Sequence, residues 1–148
     1  MSSNELDNLV KLGLLKVEPG DQAEIDGLLD SGRKRLTDAR NKALSADSQF
    51  DLAYNAAHAF ALAAMRWHGY RPDRQRFVVF QSLAHTLGVG PEIWRVLDKC
   101  HGVRNSVEYE GYPGVDGQLL ASLLEATKKV QSLVDRLGPV RAGKRRPT

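Results

Sequence analysis

Apolar residues recur at helical spacing along most of the chain, and clusters of Gly, Pro, Asn and Asp cut the pattern into separate runs. The first run covers about residues 3 to 13, with Leu6, Leu9, Val10 and Gly13 on one face, and KVEPGDQ ends it. Asp21, with Glu24 three positions on, has the form of an N-cap and its capping partner, so a second helix is expected to start there. Ile25, Leu28, Leu29, Gly32, Leu36, Ala39 and Ala43 form its inner stripe. Arg33, Lys34, Arg35, Asp38 and Lys42 fall mostly elsewhere and are expected on a solvated face.

Ser45 to Ser48 supply the next cap, and a third helix is expected to run to about His68. Its alanines and Phe60 cover more than one face, which suits the central helix of a bundle, where small side chains let neighbours approach closely. Gly69, Pro72 and Asp73 mark a loop. RFVVFQSLAHTLG reads as a fourth helix closed by Gly88 at the C′ position, with no strand partner expected for FVVF. Gly90-Pro91 opens a fifth helix with a buried stripe through Ile93, Val96, Leu97, Cys100, Val103 and Val107. After GYPGVDG a sixth carries Leu119, Leu120, Leu123, Ala126, Val130, Leu133, Val134 and Leu137, and Gly138-Pro139 ends it. The pattern predicts an all-α fold, an antiparallel up-and-down bundle of about five to six helices with short connections. A single domain over residues 1–139 and a basic, disordered tail over 140–148 are expected.

Composition narrows this only a little. The chain has 148 residues, enough for one well-filled core, with 42% hydrophobic and 26% charged residues, ordinary for a globular domain. No apolar run approaches the ~20 residues of a membrane span, and MSSNELDNLV lacks the features of a secretory leader, so a soluble, cytoplasmic protein is expected. The formal net charge of +3 is compatible with a nucleic-acid partner and does not demand one. Cys100 is the one cysteine, which excludes an internal disulfide. Its place on an inward stripe suits a buried structural thiol. His58, His68, His85 and His101 show no ligand spacing, so no metal or cofactor site is expected, and His58 among alanines reads as a packed histidine.

The polar end of the fifth helix, HGVRNSVEYEGYPG, carries the candidate chemistry. Arg104 and Glu108 stand at i and i+4, as do Asn105 and Tyr109 on a neighbouring face. An arginine beside a buried stripe needs a partner, and Glu108 can supply it, which would make the stretch simple helix-end chemistry. The alternative is an active site in which these four side chains, Arg104, Asn105, Glu108 and Tyr109, meet a substrate.

Arg104-Asn105-x-x-x-Tyr109, followed by Glu110-Gly111, resembles the signature of HEPN domains, the higher eukaryotic and prokaryotic nucleotide-binding superfamily. That signature is arginine, a polar residue that is often asparagine, three variable positions and histidine. AYNAAHAFALAAMRWHGYRP resembles the small-residue helix and Gly-Tyr turn of the family, and the resemblance spans roughly residues 20 to 137. It implies a helical bundle and a homodimer that brings two motif helices to a cleft at its symmetry axis. It further implies a metal-independent endoribonuclease, a toxin or defence effector, often paired with a nucleotidyltransferase-like antitoxin. Arg104 then matches the arginine that steadies the scissile phosphate, and Asn105 the polar position that orients the site. Tyr109 stands where the family has histidine. A tyrosine with an ordinary pKa near 10 is a poor base at pH 7, whereas a histidine near 6.5 serves as base or acid. His101, one turn before Arg104 on the same helix, offers a substitute. The other reading is a non-catalytic HEPN module that binds RNA, a nucleotide or a partner protein in the same cleft.

Overall fold

The computed structural model describes residues 3–74, 77–105 and 115–140. The elements in chain order are α1 (Ser3–Lys11), β1 (Leu15–Val17), α2 (Gln22–Ala39), α3 (Ala46–Trp67), β2 (Tyr70–Pro72), α4 (Phe77–Gln81), α5 (Leu83–Thr86), α6 (Pro91–Asn105) and α7 (Gly117–Asp135). The fold is an all-α bundle, as the periodicity predicts. None of the described helices is long and apolar enough to cross a membrane.

Helix starts are set by side chains that satisfy backbone N–H groups with no partner in the first turn. Asp21 accepts from the Ala23 N–H, Ser45 from Ser48 and Asp116 from Leu119. The expected reach of Glu24 back to the α2 cap is replaced by a tertiary role, since its carboxylate is taken by Arg66 and Arg71. α2 ends at Ala39, so its buried stripe stops there and Ala43 is exposed. The predicted solvated face holds: Arg33, Lys34, Arg35 and Asp38 are exposed.

Alanine lets α3 occupy the centre. Ala53, Ala56, Ala57, Ala63 and Ala64 are fully buried, and α2, α4, α5, α6, α7 and β2 all pack on this helix. Gly32 of α2 lies against Phe60 of α3 so closely that a Cβ there would fall 2.6 Å from the ring, so no larger residue fits without repacking. The order of contacts fixes the directions. Gly32 meets Phe60 and Glu24 meets Arg66, so α2 and α3 are antiparallel. His101 meets Tyr54, so α6 opposes α3, while Trp67 donates to the Gly138 carbonyl and α7 runs with α3.

Two local expectations change. The predicted fourth helix is divided into α4 and α5 at Ser82, and Gly88 takes the left-handed φ of +70° expected of a closing glycine. The two segments read as plain loops form a short antiparallel ladder, in which Leu15 faces Pro72 and Val17 faces Tyr70. Three residues per strand are too few for an alternating pattern to show.

The ladder is fastened by a buried arginine. The Arg66 side chain is 1% exposed, and its guanidinium donates to Glu24 Oε1 and to the carbonyls of Glu18, Pro19 and Tyr70. Arg71 bridges Glu18 and Glu24 from the solvent side at 2.8 Å each. A buried guanidinium is tolerated only when it is paired and its donors are satisfied, and this one has both conditions met. Val140, the first residue of the expected tail, is held by the Gln22 side chain; residues 141–148 lie outside the described residues.

Candidate functional site

Antiparallel packing of α6 on α3 brings two pairs of polar residues into register. Asp51 and Tyr54 are three apart on α3, and Arg104 and His101 are three apart on α6, so each pair shares one helix face. The outer layer is Asp51 with Arg104, where Nε stands 3.5 Å from Oδ1. That is ion-pair range and long for a hydrogen bond, and the Asp51 side chain is 57% exposed, so solvent screens much of the attraction.

The inner layer is Tyr54 with His101. Tyr54 Oη lies 2.7 Å from His101 Nδ1, and the two rings are stacked at 27°. Tyr54 is fully buried, with the edge of Phe80 on its ring at 5.5 Å and the Arg104 guanidinium at 4.9 Å from its centroid. Those two contacts fix the ring and therefore the direction of its hydroxyl. Asn105 completes the group, its Nδ2 3.3 Å from His101 Nε2. His101, Arg104 and Asn105 are each partly buried.

Arg104 opens onto a cleft of about 590 Å³ between the α2–α3 connection, the first turns of α3 and the chain entering α7. Leu44, Leu52 and Val115 give it apolar walls, and Asp47, Asp51 and Arg104 give it charge. Arg104 thus has one face on the Tyr54 ring and its edge at the cleft. This is a position from which it can meet an anion, in competition with Asp51.

Of the residues expected in the site, His101, Arg104 and Asn105 are brought together. Glu108 and Tyr109 lie outside the described residues, as does Val107. The expected pairing of Arg104 with Glu108 therefore lies outside the described residues; among the described residues Asp51 of α3 stands in ion-pair range of Arg104. Tyr54 and Asp51 were missed by the sequence reading. A signal exists in hindsight: Tyr54 is a large polar-tipped side chain in a run of alanines, one turn after an acid on the same face.

The other candidates take structural places. His58 meets the edge of Phe80, and His68 donates from Nε2 to the Thr86 carbonyl at 2.8 Å. Among the described residues no group of three or more His, Cys, Asp or Glu is arranged to hold a metal ion. Cys100 is buried, and burial pushes its thiol up to about 12.

Compared with family models, curated proteins and solved structures, the chain matches none of them. The functional reading therefore stands on the cluster of Tyr54, His101, Arg104 and Asn105, of which Arg104 lines the cleft.

Proposed function

We propose that the protein is a HEPN-type endoribonuclease whose proton chemistry passes through His101. The observation that carries the reading is the His101–Tyr54 contact of 2.7 Å at Nδ1, which leaves the other ring nitrogen beside Asn105, the neighbour of Arg104 on α6. A base held by an orienting group, one helical turn from a cation, suits the base side of phosphate transesterification. In the proposed step His101 Nε2 takes the proton of a 2′-hydroxyl, the 2′ oxygen bonds to phosphorus, and the bond to the 5′ oxygen breaks. Arg104 offsets the negative charge that gathers on the phosphate oxygens. Asn105, now on Nε2, gives way to the substrate hydroxyl. Tyr109, at the position of the family histidine, is assigned the proton for the leaving oxygen, with Glu108 beside the substrate. A homodimer bringing two such helices together, a toxin or defence role and a nucleotidyltransferase-like antitoxin follow from the resemblance and belong to the same proposal.

A second reading has its own support. Asp51 already balances Arg104, and Asp47 adds another carboxylate at the mouth, which suits a module that binds without turnover. Incubation of RNA with the purified protein in EDTA separates the two. Cleavage that disappears in Arg104→Ala supports the enzyme, and intact RNA bound in an Arg104-dependent way supports the module.

A further inference from the structure

The contact between Asn105 and His101 fixes more than a position. An amide nitrogen carries protons and no usable lone pair, so Asn105 Nδ2 facing His101 Nε2 at 3.3 Å favours a lone pair on Nε2. A proton on Nε2 would set two N–H groups against each other. With that tautomer the neutral ring carries its proton on Nδ1, where the Tyr54 hydroxyl oxygen at 2.7 Å is placed to accept it.

We propose that Tyr54 is a positioning residue that holds His101 in its Nδ1-protonated tautomer, so that Nε2, beside Asn105, is the basic nitrogen. Three features suit Tyr54 to this. It is fully buried, so water does not compete for the hydroxyl. Its ring is fixed between the Phe80 edge and the Arg104 guanidinium, so the hydroxyl has one direction to face. And α3 is packed by α2, α4, α5, α6, α7 and β2. A single side chain thereby sets both the base and the cation of the site, through its hydroxyl and its ring face. Among the described residues the charged groups around the pair are Arg104 on α6 and Asp51 on α3; Phe80 on α4 contributes none. A histidine whose tautomer is selected by an acceptor on one nitrogen presents a lone pair on the other, as a general base needs.

The catalytic meaning of this inference rests on the endoribonuclease reading, but its direct test does not. Protein labelled with ¹⁵N at histidine is examined at about pH 8, above the ordinary histidine range, with His101 assigned by comparison with His101→Gln. The expected result is a pyrrole-type Nδ1 and a pyridine-type Nε2 for His101 in the wild type, shifting toward the opposite tautomer in Tyr54→Phe. A pyridine-type Nδ1 in the wild type overturns the proposal, and needs no variant to fold. An unchanged tautomer in a folded Tyr54→Phe also overturns it. If the wild type cleaves RNA, Tyr54→Phe is expected to lower kcat roughly 10- to 100-fold with KM within about twofold. An equal kcat contradicts the role. Failure of the wild type to cleave removes the enzyme and leaves the tautomer result standing by itself.

Discussion

The Arg104 guanidinium of α6 lies over the Tyr54 ring of α3, 4.9 Å from its centroid, so the cation of the candidate site rests on a buried aromatic floor. The ring both packs the bundle and supports the cleft. Truncation and loss of the hydroxyl should therefore separate. Tyr54→Ala is predicted to destabilise by about 3 to 5 kcal/mol, in the range of large-to-small aromatic core changes. Tyr54→Phe keeps the floor and is predicted to cost about 1 to 2 kcal/mol for the hydroxyl. Urea melts of the two variants check this; equal losses would mean that the ring contacts contribute little.

Asp51 competes with any anion for Arg104. An exposed ion pair is worth about 0 to 1 kcal/mol, so Asp51→Asn should change stability little. The same substitution removes one competing carboxylate from the cation, and binding of labelled single-stranded RNA is predicted to tighten by up to about fivefold at low salt. Fluorescence anisotropy measures it. Unchanged or weaker binding would place the anion elsewhere.

At the other end of α3, Arg66 holds the β-ladder. Arg66→Met leaves three carbonyls without that donor and Glu24 with Arg71 in place of two arginines, and the predicted loss is about 3 to 5 kcal/mol in a denaturant melt. A near-neutral Arg66→Met would show that the methionine side chain compensates by packing.

Acid should attack the same corner. The hydrogen bond from Arg71 holds the Glu18 carboxyl below its ordinary 4.5. A carboxyl lowered on folding contributes stability that is present above the ordinary value and lost as pH falls through the folded one. Stability is therefore predicted to fall below about pH 4.5, and Glu18→Gln to flatten that limb. An acid limb identical in wild type and variant contradicts the assignment.

Most of the fold was legible because helical spacing repeats over many turns: α2, α3, α6 and α7 each carry several apolar positions and a side-chain or glycine-proline start. The β-ladder was not, since three residues give no period and its stability comes from Arg66, a residue 48 positions from its Glu18 carbonyl partner. The site was half legible. His101, Arg104 and Asn105 stand on one helix end, where local spacing and the HEPN resemblance point to them. Asp51 and Tyr54 reach them from α3 across the bundle, 53 and 47 positions back along the chain, and only the antiparallel register of two helices brings them together. Glu24 shows the opposite failure, a local capping pattern overridden by two arginines of another element.

RNA cleavage in EDTA tests the central claim most directly, with wild type and Arg104→Ala compared at equal concentration on one single-stranded substrate. The account predicts cleavage by the wild type that leaves 2′,3′-cyclic phosphate ends, and a fall of about 100-fold or more in Arg104→Ala. RNA left intact by the folded wild type from about pH 5 to 9, the span over which histidine changes charge, would contradict it.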